Sequence, residues 1–329
     1  IPVRPDSASG LLCRRSKHNS LSSRKTLRLM VLETNGVVIV DKAAGISSAK
    51  AVARVKALFQ AKKAGHTGTL DPFATGVLVC CLNRATRLAR FLLRGKKKYE
   101  AVLHLGLTTD TQDATGEIIA EAPWSTVSEQ QIRSVFKQFE GVIEQKPPLY
   151  SALKHRGVPL YKLARQGHPV QKPARSVTIE TLDIQAIAAP EIRFKVTCSA
   201  GTYIRTLCAD IGERLGCGGH LKHLRRTASS GFTIGEALTL ETLVEQKTTA
   251  AAGIIPLGRV LRQMPAHVAD DALRLKIRQG IILKARDVDL GKADASAGRL
   301  QVLTPARELL AVIEADRDGD RWKYCCVFT

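Results

Sequence analysis

A loop of twelve residues constrains the fold of this chain more than any other segment. Residues 65–76 read Gly-His-Thr-Gly-Thr-Leu-Asp-Pro-Phe-Ala-Thr-Gly and precede the apolar run 77–82. Three glycines and a proline impose a backbone path that neither a helix nor a strand can follow, so we predict an ordered loop. Asp71 stands directly before the proline, and its carboxylate is therefore held in a defined direction.

The apolar patterns around this loop predict helices and strands that do not alternate regularly. Strand-like runs lie at 37–41, 77–82, 98–105 and 191–198, and helix patterns begin after Ser47 or Ser48, at Asn83, at the capping pair Ser128 and Gln131, and at about 203. The pattern that begins at Asn83 continues to about Leu93. Without regular alternation a doubly wound parallel sheet is disfavoured, and we predict an α+β fold with a mixed sheet.

The composition changes at about residue 254. Asp270 can cap a helix that runs to Gln279 and ends at Gly280. Short strand-like runs follow at 281–284, 299–303 and 309–313. These features predict a small β-rich C-terminal domain over residues 254–329, after a catalytic domain over residues 31–253.

Residues 1–30 are rich in Ser and Arg, poor in acidic residues and not periodic. They are typical of a disordered tail, and their composition also fits an organellar transit peptide. We favour a third interpretation, in which they precede a natural start at Met30. Under that interpretation we expect a cytoplasmic protein.

The charge of the chain indicates an acidic partner. It contains 50 Lys and Arg against 30 Asp and Glu, a net charge of +20. Nucleic acid is the first candidate for such a partner and an anionic membrane the second. Residues 145–179 contain seven Lys and Arg and no acidic residue, a composition that phosphate groups would stabilise.

Motifs for nucleotides and metals are missing from the sequence. It contains no Gly-x-x-x-x-Gly-Lys-Ser/Thr string and no Gly-x-Gly-x-x-Gly string. The eight cysteines form no Cys-x-x-Cys pair, so we expect a reducing compartment and no disulfide framework. Cys217, His220 and His223 are the nearest approach to a zinc site, and their spacing disfavours one. We predict no metal and no cofactor.

The residues alone leave three interpretations of Asp71. It could stabilise a turn, as Asp often does. It could act as a nucleophile, a base or a metal ligand. An aspartyl-phosphate enzyme also needs an exposed Asp after apolar residues, but no second acidic residue clusters nearby to hold magnesium.

The loop resembles the catalytic motif of the TruB family, the tRNA pseudouridine-55 synthases. The resemblance continues through most of residues 31–232, although Ala43 stands where the first family motif usually has proline. The matching segments are Asp41-Lys42 with Gly45 to Ser48, Lys98-Tyr99, Thr108 to Asp113 with Gly116, the basic segment from Gln145 to Arg165, Cys198 to Arg205, and Leu224 to Thr227. Residues after 254 resemble the family's PUA-like domain.

This resemblance implies a largely antiparallel sheet of the pseudouridine synthase type and three catalytic residues. Asp71 matches the central aspartate, Arg205 the arginine that pairs with it, and Tyr99 the tyrosine that stacks on the target base. Read alone, Arg205 could equally be a solvated helix residue, and Tyr99 an ordinary strand tyrosine.

The resemblance also implies RNA contacts. Tyr203 and Leu224 match residues that line the same pocket, and His66 matches a histidine that fills the place of the flipped base. Lys42 of the first motif and Lys154 are expected to contact RNA. Residues 145–176 correspond to a thumb-like insertion that clamps the RNA.

The function implied by the family is conversion of uridine 55 in the T-loop of tRNA to pseudouridine. We expect a monomer that binds the T-stem-loop and neither DNA nor membrane. Three alternatives stay open: a non-catalytic RNA-binding or RNA-folding factor, an aspartyl-phosphate phosphotransferase, and a guide-RNA-dependent relative of the same family.

Overall fold

The structure, a computed structural model, describes residues 34–246, 253–288, 298–316 and 318–328. The expectation for residues 1–30 lies outside these ranges. The strands described are β1 (Gly36–Lys42), β2 (Ala64–His66), β3 (Thr75–Leu82), β4 (Lys97–Leu105), β5 (Leu107–Thr109), β6 (Ile118–Glu121), β7 (Gly141–Gln145), β8 (Lys154–His155), β9 (Val158–Pro159), β10 (Arg175–Ala188), β11 (Glu191–Cys198), β12 (Gly219–Ser229), β13 (Phe232–Thr233), β14 (Ile255–Pro256), β15 (Ala266–Val268), β16 (Leu283–Lys284), β17 (Arg299–Leu303), β18 (Leu309–Ala315) and β19 (Arg321–Val327).

The helices between these strands are mostly short. They are α1 (Ser48–Leu58), α2 (Ala89–Leu92), α3 (Glu129–Gln138), α4 (Leu160–Arg165), α5 (Ile204–Arg214), α6 (Leu240–Glu245) and α7 (Asp271–Gln279), with 3₁₀ turns at Asn83–Arg87, Ile234–Glu236, Leu257–Arg259 and Ala285–Asp287. None of the helices in the described ranges has the length and apolar character needed to cross a bilayer.

One large sheet organises residues 36–256. Its strand order is β14-β1-β3-β12-β4-β11-β10-β7, with β2 paired to β3 and β13 paired to β12. Every pairing in it is antiparallel except β3 with β12, which meet in parallel. The predicted mixed, largely antiparallel sheet with flanking helices is therefore confirmed.

The alternation in β4 explains why one face of the sheet is buried. Tyr99, Ala101, Leu103 and Leu105 are all less than 9 % exposed, and their neighbours on the strand face the other side. The buried face packs against α3 and α5 in one apolar cluster. The capping box predicted at Ser128 is present, because its hydroxyl and the side chain of Gln131 bond to each other's backbone N–H.

The helix predicted from Asn83 to Leu93 is wrong in its start and its form. Asn83 has a positive φ of 48°, and its side-chain oxygen accepts hydrogen bonds from the backbone of Lys62 and Lys63, at 2.9 and 3.1 Å. The side chain therefore fixes the neighbouring loop instead of capping a helix. A 3₁₀ turn and the four-residue α2 replace the single helix.

A second sheet, in the order β15-β17-β18-β19-β16, confirms the β-rich C-terminal part. Asp270 caps α7 through a 2.7 Å bond from the backbone N–H of Leu273, and Gly280 ends the helix in the left-handed conformation, both as predicted. The boundary at 254 stays a prediction. β14 still belongs to the large sheet, and Phe328 packs in the same apolar cluster as Leu88.

The parallel contact between β3 and β12 requires glycine. Arg226 stands opposite Gly76, whose φ is +101°. A Cβ added at Gly76 would collide with the backbone carbonyl oxygen of Arg226. The two strands can approach this closely only without a side chain, so Gly76 joins the loop that precedes it to the centre of the sheet.

We predict that Gly76→Ala lowers the free energy of unfolding by more than about 3 kcal/mol, because it combines backbone strain with a backbone collision. Gly216→Ala is the matched control. Its φ is +78°, but a Cβ there has no neighbour within 4 Å, so we expect a loss of about 1–2 kcal/mol. Urea denaturation measures both values, and equal losses would contradict the collision.

Candidate active site

A cavity of about 360 Å³ lies where the loop, β4, β12 and the start of α5 meet. Five of the eight predicted site residues line it: Asp71, Tyr99, Tyr203, Arg205 and Leu224. They come from segments far apart in the sequence, so their convergence depends on the tertiary fold. A slightly larger cavity, of about 430 Å³ near Phe91, contains none of the predicted site residues.

The carboxylate of Asp71 is paired with the guanidinium of Arg205. The Nε atom of Arg205 lies 3.0 Å from Oδ2, and its Nη2 atom donates to Oδ1 at 3.4 Å. The Nε–H is not aligned for a hydrogen bond, so the first contact is mainly electrostatic. Arg205 is 5 % exposed and Asp71 34 %, so the carboxylate rather than the guanidinium faces the cavity.

Arg205 is held by two backbone carbonyls and a second carboxylate. Its Nη1 donates to the carbonyl of Thr111 and its Nη2 to that of Tyr150, each at 2.8 Å. Oδ2 of Asp113 lies 3.5 Å from Nη1. Both terminal nitrogens of the guanidinium therefore have partners, which restrict the orientation in which Arg205 meets Asp71.

Sequence reasoning gave no role to Asp113. It is buried, and its Oδ1 accepts bonds from the hydroxyl of Thr111 and from the backbone and hydroxyl of Thr115. A threonine two residues before and two after an aspartate is the signal that could have indicated this local network. Asp113 partly compensates the buried charge of Arg205.

The surroundings of Asp71 act on its pKa in opposite directions. Burial raises the pKa of the carboxyl above its usual value, and the charge of Asp113 adds to this rise. The Arg205 guanidinium opposes both effects. Removal of the arginine would therefore leave a carboxyl that is protonated at a higher pH.

The backbone beside Asp71 is fixed from helix α1. The Ser48 hydroxyl donates to the carbonyl of Leu70 and accepts from its N–H, both at 2.8 Å. The N–H of Gly45 bonds to the carbonyl of Pro72 at 2.9 Å. The residues on each side of Asp71 are thus tied to the segment that follows β1.

The ring of Tyr203 lines the cavity and is held by two neighbouring side chains. The amide of Gln145 forms two bonds to the backbone of Tyr203, at 2.7 and 3.0 Å. The Arg175 guanidinium lies 4.9 Å from the Tyr203 ring centre and bonds to the carbonyl of Gly201. Gln145 and Arg175 received no site role from the sequence, although Gln145 belongs to a matching segment.

Four buried polar atoms that border the cavity have no aligned hydrogen-bond partner. They are Thr67 Oγ1, Ser151 Oγ, Arg175 Nε and Arg205 Nε. Buried polar groups are nearly always hydrogen-bonded in proteins, so these four atoms have hydrogen-bonding capacity that the protein around the cavity does not use. No group of three or more His, Cys, Asp or Glu in the described part of the chain is arranged to hold a metal.

Comparisons with known proteins identify the family. The sequence model of the TruB family pseudouridylate synthase N-terminal domain matches residues 56–204, and that of the tRNA pseudouridylate synthase B C-terminal domain matches residues 205–268. The chain belongs to the TruB family of pseudouridylate synthases. It is therefore an isomerase, and the resemblance of its loop is confirmed.

Two bacterial relatives are both named tRNA pseudouridine synthase B. The synthase is 41 % identical to one from Geotalea uraniireducens over an alignment of 292 residues. This alignment covers 88 % of this chain and 94 % of the relative. The synthase is 43 % identical over 282 residues to one from Burkholderia mallei, with coverages of 85 % and 93 %.

Solved structures share the fold. The synthase matches a chain of an H/ACA RNP bound to a substrate RNA containing 2'-deoxyuridine, with a TM-score of 0.68 and 27 % identity over 90 % of this chain and 86 % of that one. A chain of a Cbf5-Nop10-Gar1 complex matches with a TM-score of 0.69, 29 % identity and coverages of 90 % and 85 %.

Three predicted site residues of the synthase lie outside the cavity lining. His66 is half-buried on β2, where its Nδ1 accepts from the backbone of Gly68 at 3.3 Å, and burial lowers its pKa. Lys154 is exposed on β8. Their contacts with RNA stay predictions.

Lys42 does not fit a substrate contact. It is fully buried, and its Nζ donates to the carbonyls of Ala43, Ile46 and Pro72 at 2.8, 2.8 and 3.2 Å. All three donors of the ammonium are therefore used inside the protein. Lys42 supports the loop beside Asp71 through its bond to the carbonyl of Pro72, instead of reaching into the cavity.

We predict a pH-dependent contribution of Lys42 to stability. Burial lowers its pKa from 10.5 to about 8. Between these values the unfolded chain still holds the proton that the folded protein has released, so the free energy of unfolding should rise with pH. Lys42→Met should remove about 1 kcal/mol per pH unit of that rise.

Urea denaturation between pH 7 and 10 tests this prediction, with the exposed Lys50 on α1 as the matched control. Lys50→Met should leave the slope unchanged. Lys97, whose pKa burial also lowers to about 8, should add the same contribution to the slope in wild type and in both variants, so Lys42→Met should keep a smaller rise with pH. Parallel curves for wild type and Lys42→Met would contradict the assignment.

Proposed function

We propose that the synthase converts the uridine at position 55, in the T-loop of tRNA, to pseudouridine through Asp71 and without a cofactor. The substrate class follows the names of its relatives. One observation carries the proposal: Asp71, oriented by Arg205, faces a cavity lined by Tyr99, Tyr203 and Leu224.

The reaction needs only groups that the chain supplies. The glycosidic bond from C1' to N1 of the uracil breaks, the ring turns, and C1' bonds to C5. A proton leaves C5, and N1 carries a proton in the product. No electrons and no outside group are gained or lost. Asp71 acts as a nucleophile on the sugar or the base, or as the base that removes a sugar proton.

The remaining walls of the cavity suit a flat base. Tyr99 and Tyr203 offer two aromatic rings and Leu224 an apolar side chain, so a uracil would be enclosed and shielded from water. The residues Thr67 and Ser151 also belong to the lining, and neither of their hydroxyls has a hydrogen-bond partner within the protein. His66 takes the place of the flipped base within the RNA.

The flipped base must come from an RNA held by its phosphates. The segment 145–179 carries seven cationic residues and no acidic ones, and Lys154 is exposed on its short β8–β9 hairpin. This segment acts as the clamp on the T-stem-loop, with an affinity that falls as salt rises. The synthase works as a monomer in the cytoplasm, and neither DNA nor membrane is its partner.

We predict that Asp71→Asn abolishes release of tritium from tRNA transcript labelled at uracil C5 and leaves tRNA affinity nearly unchanged. The amide keeps the shape of the side chain but cannot act as nucleophile or base. Asp183→Asn, an exposed change on β10, is the matched control and should keep full activity.

Chelator is present in every sample of this experiment. Tritium release by Asp71→Asn would remove Asp71 from its role. Binding of tRNA without release by the wild-type protein would instead favour the non-catalytic RNA-binding alternative.

We predict that Arg205→Met shifts the acidic limb of the pH profile of kcat/KM to higher pH and lowers the plateau. Loss of the cation removes the largest influence that lowers the pKa of Asp71 and leaves burial and Asp113 opposed only by the charge of Lys42. Arg205→Lys, which keeps the charge, should shift the limb less. Identical limbs in all three proteins would show that activity does not depend on the ionisation of Asp71.

A further inference from the structure

A second arginine, Arg226, lies under the same loop and has no part in the function so far. It lies on β12, is 1 % exposed, and is among the largest fully buried side chains in the described part of the chain. Burial of an arginine is costly unless all of its donors are satisfied. Its partners therefore indicate what its position contributes.

The guanidinium of Arg226 bonds to the backbone on both sides of Asp71. Its Nη2 donates to the carbonyl of Gly68 at 3.0 Å, and its Nη1 to that of Thr69 at 3.4 Å. Its Nε donates to the carbonyl of Val77, beyond the far end of the loop, at 2.7 Å. One rigid planar group thus joins the two arms of the loop and sets the separation between them.

Arg226 also faces the aromatic residue of the site. In the antiparallel pairing of β12 with β4 it stands directly opposite Tyr99, so both side chains project from the same face of the sheet. The two interact: burial raises the pKa of the Tyr99 phenol, and the charge and hydrogen bond of Arg226 lower it. Arg226 therefore interacts both with the loop that carries Asp71 and with Tyr99.

We propose that Arg226 is a positioning residue, which fixes the loop that carries Asp71 relative to the ring of Tyr99. This inference rests on the proposed role of Asp71. Its consequence is specific. Arg226 affects the rate of the chemical step through the position of the loop. It contributes little to RNA affinity, because its guanidinium donates to backbone carbonyls inside the protein. A lysine cannot span these three carbonyls with the geometry of a guanidinium.

A purely structural role would give a different result. Loss of a structural arginine lowers stability and the fraction of folded enzyme, but the folded molecules keep their kcat. Loss of a positioning arginine lowers kcat in fully folded enzyme, since a displacement of about 1 Å at the reacting groups can cost on the order of 100-fold in rate. Kinetics at temperatures well below unfolding separates the two.

The test compares Arg226→Lys with Arg225→Lys in the tritium-release assay, with wild type and Asp71→Asn in parallel. Arg225 is the adjacent residue on the opposite face of β12, where it pairs with Asp41 at 2.7 Å. We expect kcat to fall on the order of 100-fold in Arg226→Lys, with tRNA affinity within about threefold of wild type. Arg225→Lys should keep kcat within about threefold.

A double-mutant cycle with Tyr99→Phe adds a readout that stability does not move. If Arg226 acts through the placement of Tyr99, the losses in kcat are less than additive in the double variant. Full additivity together with wild-type kcat in Arg226→Lys would overturn the proposal. If wild type is active, Asp71→Asn is inactive and Arg226→Lys is fully active, only this inference fails. An inactive wild type would refute the proposed function itself.

Should Arg226→Lys fail to fold, hydrogen exchange in the wild-type protein decides the matter. The Nε–H of Arg226, bonded inside the protein to Val77, should exchange far more slowly than that of the exposed Arg193 on β11. This protection should persist in the tRNA complex. Exchange as fast as that of Arg193 in the complex would show that the bonds of Arg226 to the backbone open before the reaction, and the proposal would fall.

Discussion

The peptide groups of the Asp71 loop depend on donors from elsewhere in the chain. Between β2 and β3 the backbone forms almost no regular ladder, although most of its residues are at least partly buried, and an unpaired buried carbonyl costs about 1–3 kcal/mol. Lys42 from β1, Ser48 from α1 and Arg226 from β12 supply these bonds. The direction of the Asp71 side chain, and with it the geometry of the cavity, follows from this support.

The same arrangement explains why so many charges are tolerated in the interior. Arg205, Arg226 and Lys42 lie around a single loop and would repel each other, but their donors meet backbone carbonyls and the carboxylates of Asp71 and Asp113. A buried network of this kind is favourable only while every member is satisfied. A substitution in one partner therefore disturbs the others, and we expect activity and stability to be coupled at this site.

Local sequence patterns were sufficient where a segment is governed by its own periodicity or capping. The alternation in β4 and the caps at Ser128 and Asp270 agree with the structure. Asn83 misled the prediction, because its side chain bonds to a loop about twenty residues earlier in the chain instead of to the next turn. β12 was not predicted at all: its outward and inward positions are both partly polar, so the sequence has no clear period of two.

The sequence by itself determined the family and the loop and indicated Asp71 as the candidate catalytic carboxylate, because the loop depends on glycines and a proline that act locally and form a specific string. Tertiary structure alone decided which charges meet. Arg205 reaches Asp71 across 134 positions, and Arg226 reaches Gly68 across 158. Lys42, expected to contact RNA, was shown to bond inside the protein. A charged side chain looks the same in a sequence whether it meets solvent, substrate or a buried carbonyl, and only the packing of distant strands distinguishes these outcomes.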